Sequence, residues 1–164
     1  MYSFTKYGVG PLVALVIAVF QTEVYGVTVD FIDPCQDRAL YQDSRPFEPG
    51  KSLGSYTVDA LEQGGIPYVG SQAGINSIFE TPIGDDAIEV LSPSSLRAYG
   101  WCYDIDGISP ATMPNDFIVS DETSHIRWYF GFALYEMGNW VSYCTPSYEV
   151  IPDFICNEQS GHQN

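Results

Sequence analysis

The sequence predicts an α+β domain in which one sheet carries a single short helix and the strands crowd the C-terminal half. Three observations predict it. Only one stretch, TVDALEQGG from Thr57 to Gly65, has both helix-starting and helix-ending signals. Two others, VTVDFI from Val27 and HIRWYFGFALY from His125, alternate in steps of two as half-buried strands do. Between them glycine and proline recur too often for anything but short strands.

The chain opens on a cationic start with Lys6 and an uncharged run, LVALVIAVF at 12–20. Nine apolar residues are too few for a membrane span, which needs about 20. They fit the apolar centre of an export leader, and Val24-Tyr25-Gly26 supplies a cleavage site, so residues 1–26 are read as a signal peptide. A secreted or periplasmic protein is expected. The leader gives way to one domain over 27–156 and a polar tail over 157–164, NEQSGHQN, expected to be disordered.

The first strand is Val27–Ile32, with Val27, Val29 and Phe31 facing a core, and Asp33-Pro34 ends it because proline gives no amide hydrogen to a ladder. Residues 36–54 are polar and rich in turn formers, and read as a long loop. Thr57 is placed as the helix cap, with Asp59 in the first turn, Val58 and Leu61 facing inward and Gly64-Gly65 at the end. Short strands are expected at 75–80 and 87–91, and a stronger one from Tyr99 to Ile105. Asp106-Gly107 is the dipeptide a type I′ turn asks for, leading to a short return strand at 116–119. His125–Tyr135 is the longest strand, with Ile126, Trp128, Phe130 and Phe132 on one face. It turns through Met137-Gly138-Asn139 into a last strand at 139–143. No internal repeat or domain linker is present.

A net charge of -15 excludes phosphate and anionic-lipid partners, which need a basic face. Five of the six basic and 20 of the 21 acidic residues lie beyond the leader, so the charge belongs to the domain. The four cysteines, Cys35, Cys102, Cys144 and Cys156, form an even set in an exported chain and read as two disulfides of open pairing. No C-x-x-C or H-x-x-x-H spacing supports zinc, and no metal is expected.

Asp104 and Asp106 share a strand face by alternation, as an acid pair or a weak calcium site would require. Ile108-Ser109-Pro110 supplies no third carboxylate, so the turn reading is taken. His125 is the only histidine outside the tail and is read as a solvated strand-edge residue. With no G-x-S-x-G and no H-E-x-x-H, no catalytic residue is assigned and no enzyme is expected. The aromatics carry more signal. Twelve of the domain's 19 lie between Tyr99 and Tyr148, so a sheet face could stack a flat ligand or meet a partner. Trp101 and Tyr103 share one such face; with Trp128 and Phe130 they are the candidate ligand-binding residues.

The order of motifs resembles the DUF4430 family, which is similar to the C-terminal domain of transcobalamin and intrinsic factor. TVDALEQGGI followed by SIFETPIG between Tyr56 and Gly84 looks like the middle of that family. The stretch GWCYDIDGISP from Gly100 to Pro110 resembles its signature G-W-x-Y-x-V-N-G-x-x-P, with Asp106 where the family has Asn. Met113, Asp116-Phe117-Ile118-Val119 and Ile126-Arg127-Trp128-Tyr129 continue the match in order. The resemblance implies a β-grasp-like domain that packs over cobalamin together with a larger helical domain. No stretch of 27–156 is helical enough to supply that second part. The expected function is therefore a non-catalytic binding domain, its ligand corrinoid-like. The alternative is a surface module for another protein, without small ligand. A secreted hydrolase is a third reading, which a paired set of acids or His125 in a cleft would support.

Overall fold

The computed structural model describes residues 26–123 and 125–156; residues 1–25 of the expected leader and the 157–164 tail lie outside them. Eight strands are present: β1 (Gly26–Ile32), β2 (Ala39–Pro46), β3 (Tyr68–Ser71), β4 (Gly74–Ile78), β5 (Ile88–Ser92), β6 (Ser95–Ile105), β7 (His125–Glu136) and β8 (Asn139–Pro146). The helix α1 (Leu53–Gly64) follows the β1–β2 hairpin, and a single turn, α2 (Asp153–Cys156), ends the described chain. The main sheet runs β2-β1-β7-β6-β5, while β3 and β4 form a separate hairpin. β1 and β7 are parallel, and the other pairs are antiparallel. A hairpin, a helix and a central parallel pair in this order make a β-grasp arrangement, so the expected α+β class holds.

β7 pairs with β6 along nearly its whole length, so β1 and β8 must share its other edge. β1 takes 125–128 and β8 takes 131–136. The inner face of this sheet is the core. Val27, Val29 and Phe31 of β1, Ile126, Trp128 and Phe130 of β7 and Trp101 of β6 are buried there beneath Leu53, Tyr56 and Leu61 of α1. Burying each such side chain contributes about 1.5–3 kcal/mol.

Four expectations are corrected. The predicted loop 36–54 contains β2, an edge strand that exposes Gln42 and Ser44 beside Ala39, Leu40 and Pro46 and whose inward anchor is Tyr41, stacked 6.3 Å from Phe31. Edge strands carry little hydrophobic pattern, which hides them from a periodicity reading. α1 starts five residues earlier than Thr57, at a cap where Ser52 Oγ accepts from Ser55 N at 3.2 Å. Thr57 is instead wholly buried, donating to the Leu53 carbonyl at 2.9 Å. Gly54 fits this early turn because a Cβ there would lie 1.9 Å from the Gln72 carbonyl oxygen of the β3–β4 turn. The predicted return strand at 116–119 is one bridge, Ser52 to Ile118, because β7 takes the partner edge of β6. Finally, α2 joins α1 as a second helix. The predicted end of α1 is as expected: Gly65 is left-handed at φ 60° and its N–H reaches the last turn.

The open cysteine pairing resolves into Cys35–Cys156 and Cys102–Cys144. The first ties the segment after β1 to α2, and the second ties β6 to β8 across β7. No helix among the described residues is long and apolar enough to cross a membrane.

Candidate functional site

The four candidate aromatics come together on the inner face, as the register pairs Trp101–Phe130 and Tyr103–Trp128. Strand alternation puts them there, and α1 then covers most of what they present. Trp128 and Phe130 are each 1% exposed, so neither offers a surface to a ligand in solution. Both buried indoles are anchored through their N–H groups. Trp128 Nε1 donates to Thr57 Oγ1 at 2.9 Å and Trp101 Nε1 to Thr81 Oγ1 at 2.7 Å, which satisfies the single donor each ring carries.

Trp101 is 9% exposed and Tyr103 half-buried, and both border an open sheet edge because β5 pairs with β6 only as far as Ala98. Past that point β4 lies across β6 in place of a neighbouring strand, leaving a groove. Two recesses of about 470 and 260 Å³ meet there, each lined by Ile75, Asn76 and Trp101. The larger continues past Tyr99 to Ile83 and Gly84. The smaller runs between Tyr103 and Trp128 to Thr112 and Met113. Met113 is exposed and overhangs this end. Tyr103 donates its hydroxyl hydrogen to the Thr112 carbonyl, which pins the 106–120 loop against the groove. Burial raises the Tyr103 pKa and the Asp116 charge adds to the rise, so the ring stays neutral at ordinary pH.

At the far end Tyr99 donates to Glu89 Oε2 at 2.8 Å, and Arg97 Nη1 donates to the same oxygen at 2.9 Å. Burial, with the Glu89 carboxylate, pushes the Tyr99 pKa up to about 12. This end therefore presents a neutral phenol and a neutralised ion pair. Neither phenol is poised to transfer a proton near neutrality. Asn76 is exposed at its centre and brings one amide donor pair and one acceptor. Asn76, Ile75 and Met113 are not among the ligand-binding candidates of the sequence, although Met113 belongs to the motifs that carry the resemblance. The groove exists because β5 stops short, and pairing length leaves no composition signal.

Asp104 and Asp106 are turn residues, as expected. Asp104 is 8% exposed and accepts from Gly107 N at 3.2 Å, while Asp106 accepts from His125 N at 3.0 Å. Asp106 and Gly107 have φ of 50° and 81°, and Ile105 and Ile108 exchange both backbone bonds at 2.9 Å, the geometry of a type I′ turn. His125 is less free than expected, since its Nε2 lies 2.7 Å from Asp30 Oδ2 on the outer sheet face. Asp30 also accepts from Gln42 Nε2 at 2.8 Å. Among the described residues no group of three or more His, Cys, Asp or Glu is placed to hold a metal.

Fold and groove together define the chain as a disulfide-linked α+β domain of β-grasp type, with an open groove of mixed polar and apolar lining against one edge of its sheet. No family model and no curated protein matches the chain. Among solved structures it is similar to a protein of Ruminococcus gnavus ATCC 29149 provisionally described as metal binding. That match has 19% identity, covers 65% of this chain and 97% of the other, and gives a TM-score of 0.37, a level at which it carries no argument.

Proposed function

We propose that the chain is an exported, non-catalytic binding domain of the kind it resembles, the transcobalamin C-terminal domain, and that it covers one side of a flat ligand at the Trp101 groove. The supporting observation is the pair of recesses joined at Trp101 and Asn76. Enclosing sites for small molecules run to about 300–1,000 Å³ and bury most of the ligand. Two open recesses of this size instead suit one edge of a flat molecule whose other side meets something else, as the resemblance implies for a corrinoid. The Trp101, Tyr103 and Ile75 side chains supply area, and the Asn76 amide supplies orientation.

Titration of the oxidised protein with cobalamin and other corrinoids, followed by tryptophan fluorescence, tests this reading. Saturable quenching, weakened at least tenfold in Asn76→Arg, is expected. A flat signal up to high micromolar ligand removes the corrinoid version.

A further inference from the structure

We infer that the outer face of the sheet at its β5–β8 end is a docking trough for a cationic amphipathic helix of another protein. The inference goes beyond the groove reading, because this trough lies on the opposite side of β6 from α1. Its floor holds two small cross-strand pairs, Ala98–Ala133 and Gly100–Gly131, and is closed at one end by the larger pair Leu96–Tyr135, in register with Val90 and Trp140. On one side stand Ile88 and Val90 of β5, which are 41% and 72% exposed. On the other stand Trp140 and Tyr143 of β8. Trp140 packs 5.3 Å from Tyr135 and 6.4 Å from Tyr143, while Tyr143 stays 70% exposed.

The walls are three strand spacings apart, or about 14 Å at roughly 4.8 Å each. An α-helix with its side chains is about 10–12 Å across and fits between them. A patch of this kind on a sheet face is the type of surface that marks an interaction site.

Charge selects the occupant. From Met137 to Tyr148 the chain has no charged residue. Exposed acids stand at both ends: Asp85 and Asp86 lead into β5, and Glu136 closes β7. The protein as a whole carries -15. A second copy would bring the same charge against itself, and an acidic partner would be repelled. A helix with one apolar face and basic flanks gains from both the floor and the acidic ends.

The test titrates the oxidised protein into a labelled synthetic helix of leucine and lysine, reading anisotropy. Controls are a scrambled peptide without an apolar face and a leucine–glutamate helix. The leucine–lysine helix is expected to bind at least tenfold tighter than either control and to weaken severalfold when salt rises from 50 to 300 mM. Val90→Lys and Tyr143→Lys, both at exposed positions, should each weaken it at least tenfold without moving the unfolding midpoint. Corrinoid titration of the same variants should be unchanged, which separates this site from the groove. Equal binding of the scrambled peptide, no binding by any peptide or wild-type affinity in both variants would overturn the inference. So would sedimentation as a dimer that Val90→Lys converts to monomer.

Discussion

The outer face of the sheet is two surfaces in one. Over β2, β1 and the first half of β7 it is polar, and its charges find partners inside the molecule. Asp30 holds His125 and Gln42, Arg127 pairs with Asp37 and donates to Tyr148 at 3.3 Å, and Asp104 caps a turn. Over β5, β6, the second half of β7 and β8 it is uncharged, and its large side chains face outward with no layer of described residues upon them. The Cys102–Cys144 bond stands at the border. Apart from the Trp101 groove, the inner face is covered along both halves, by α1 over one and by α2 with Phe154 over the other, where Phe154 meets Tyr99 at 5.1 Å. The polar half finds its partners among the described residues; the apolar half is the surface proposed for the helix.

The largest effect expected on this contrast comes from removing the border. Cys102→Ala with Cys144→Ala opens a 42-residue separation, for which chain entropy sets a loss of about 4 kcal/mol. The wall residues Trp140 and Tyr143 should lose order before the Asp30–His125 pair does, readable by amide exchange strand by strand. Asp30→Ala strikes the other half. It leaves His125 and Gln42 without their shared acceptor and should cost about 1–3 kcal/mol by denaturant unfolding, with helix binding unaffected.

Within the apolar half, two glycines opposed across one ladder should behave oppositely. A Cβ on Gly131 would lie 2.9 Å from the Thr145 carbonyl oxygen, so Gly131→Ala should push β8 outward and cost about 1–3 kcal/mol. A Cβ on Gly100 meets nothing within 4 Å, and Gly100→Ala should gain about 0.5 kcal/mol from lost chain freedom.

The tyrosines give a gentler probe. Tyr99 beneath the apolar half is raised from 10.0 to about 12, and Tyr129 in the polar half is also raised, in both cases first by burial. A folded value above the unfolded one means that the contribution is complete below pH 10. Stability should then fall as pH climbs from 10 through 12. Phenolate absorbance should show Tyr99 among the last to ionise, and Tyr99→Phe should flatten the high-pH loss. Val90→Lys should change stability least, by under about 0.5 kcal/mol, while abolishing helix binding.

Much of this was legible in the residues. Alternation in VTVDFI and HIRWYFGFALY placed β1 and β7, the Gly64-Gly65 stop ended α1, and Asp106-Gly107 gave its turn. What escaped has a common cause. β2 carries its hydrogen bonds in the backbone and shows one inward anchor, so periodicity passes over it. Thr57 looked like a cap because a hydroxyl suits that position, and nothing local says that Trp128, 71 residues away, claims it. The candidate aromatics were found as a group, but alternation gives two faces without saying which one a helix will cover.

The sequence alone determined an acidic α+β domain with an even cysteine set, its two main strands and where its aromatics concentrate. Those properties come from local periodicity and composition. Tertiary structure alone decided which cysteines pair, that Trp128 and Phe130 are core and Trp101 keeps an edge, and that β5 ends early enough to open a groove. It also divided the outer face, because β1 and β8 take successive halves of one edge of β7. Such choices depend on which strands lie side by side, and side-by-side placement is a property of the whole chain that no short stretch encodes.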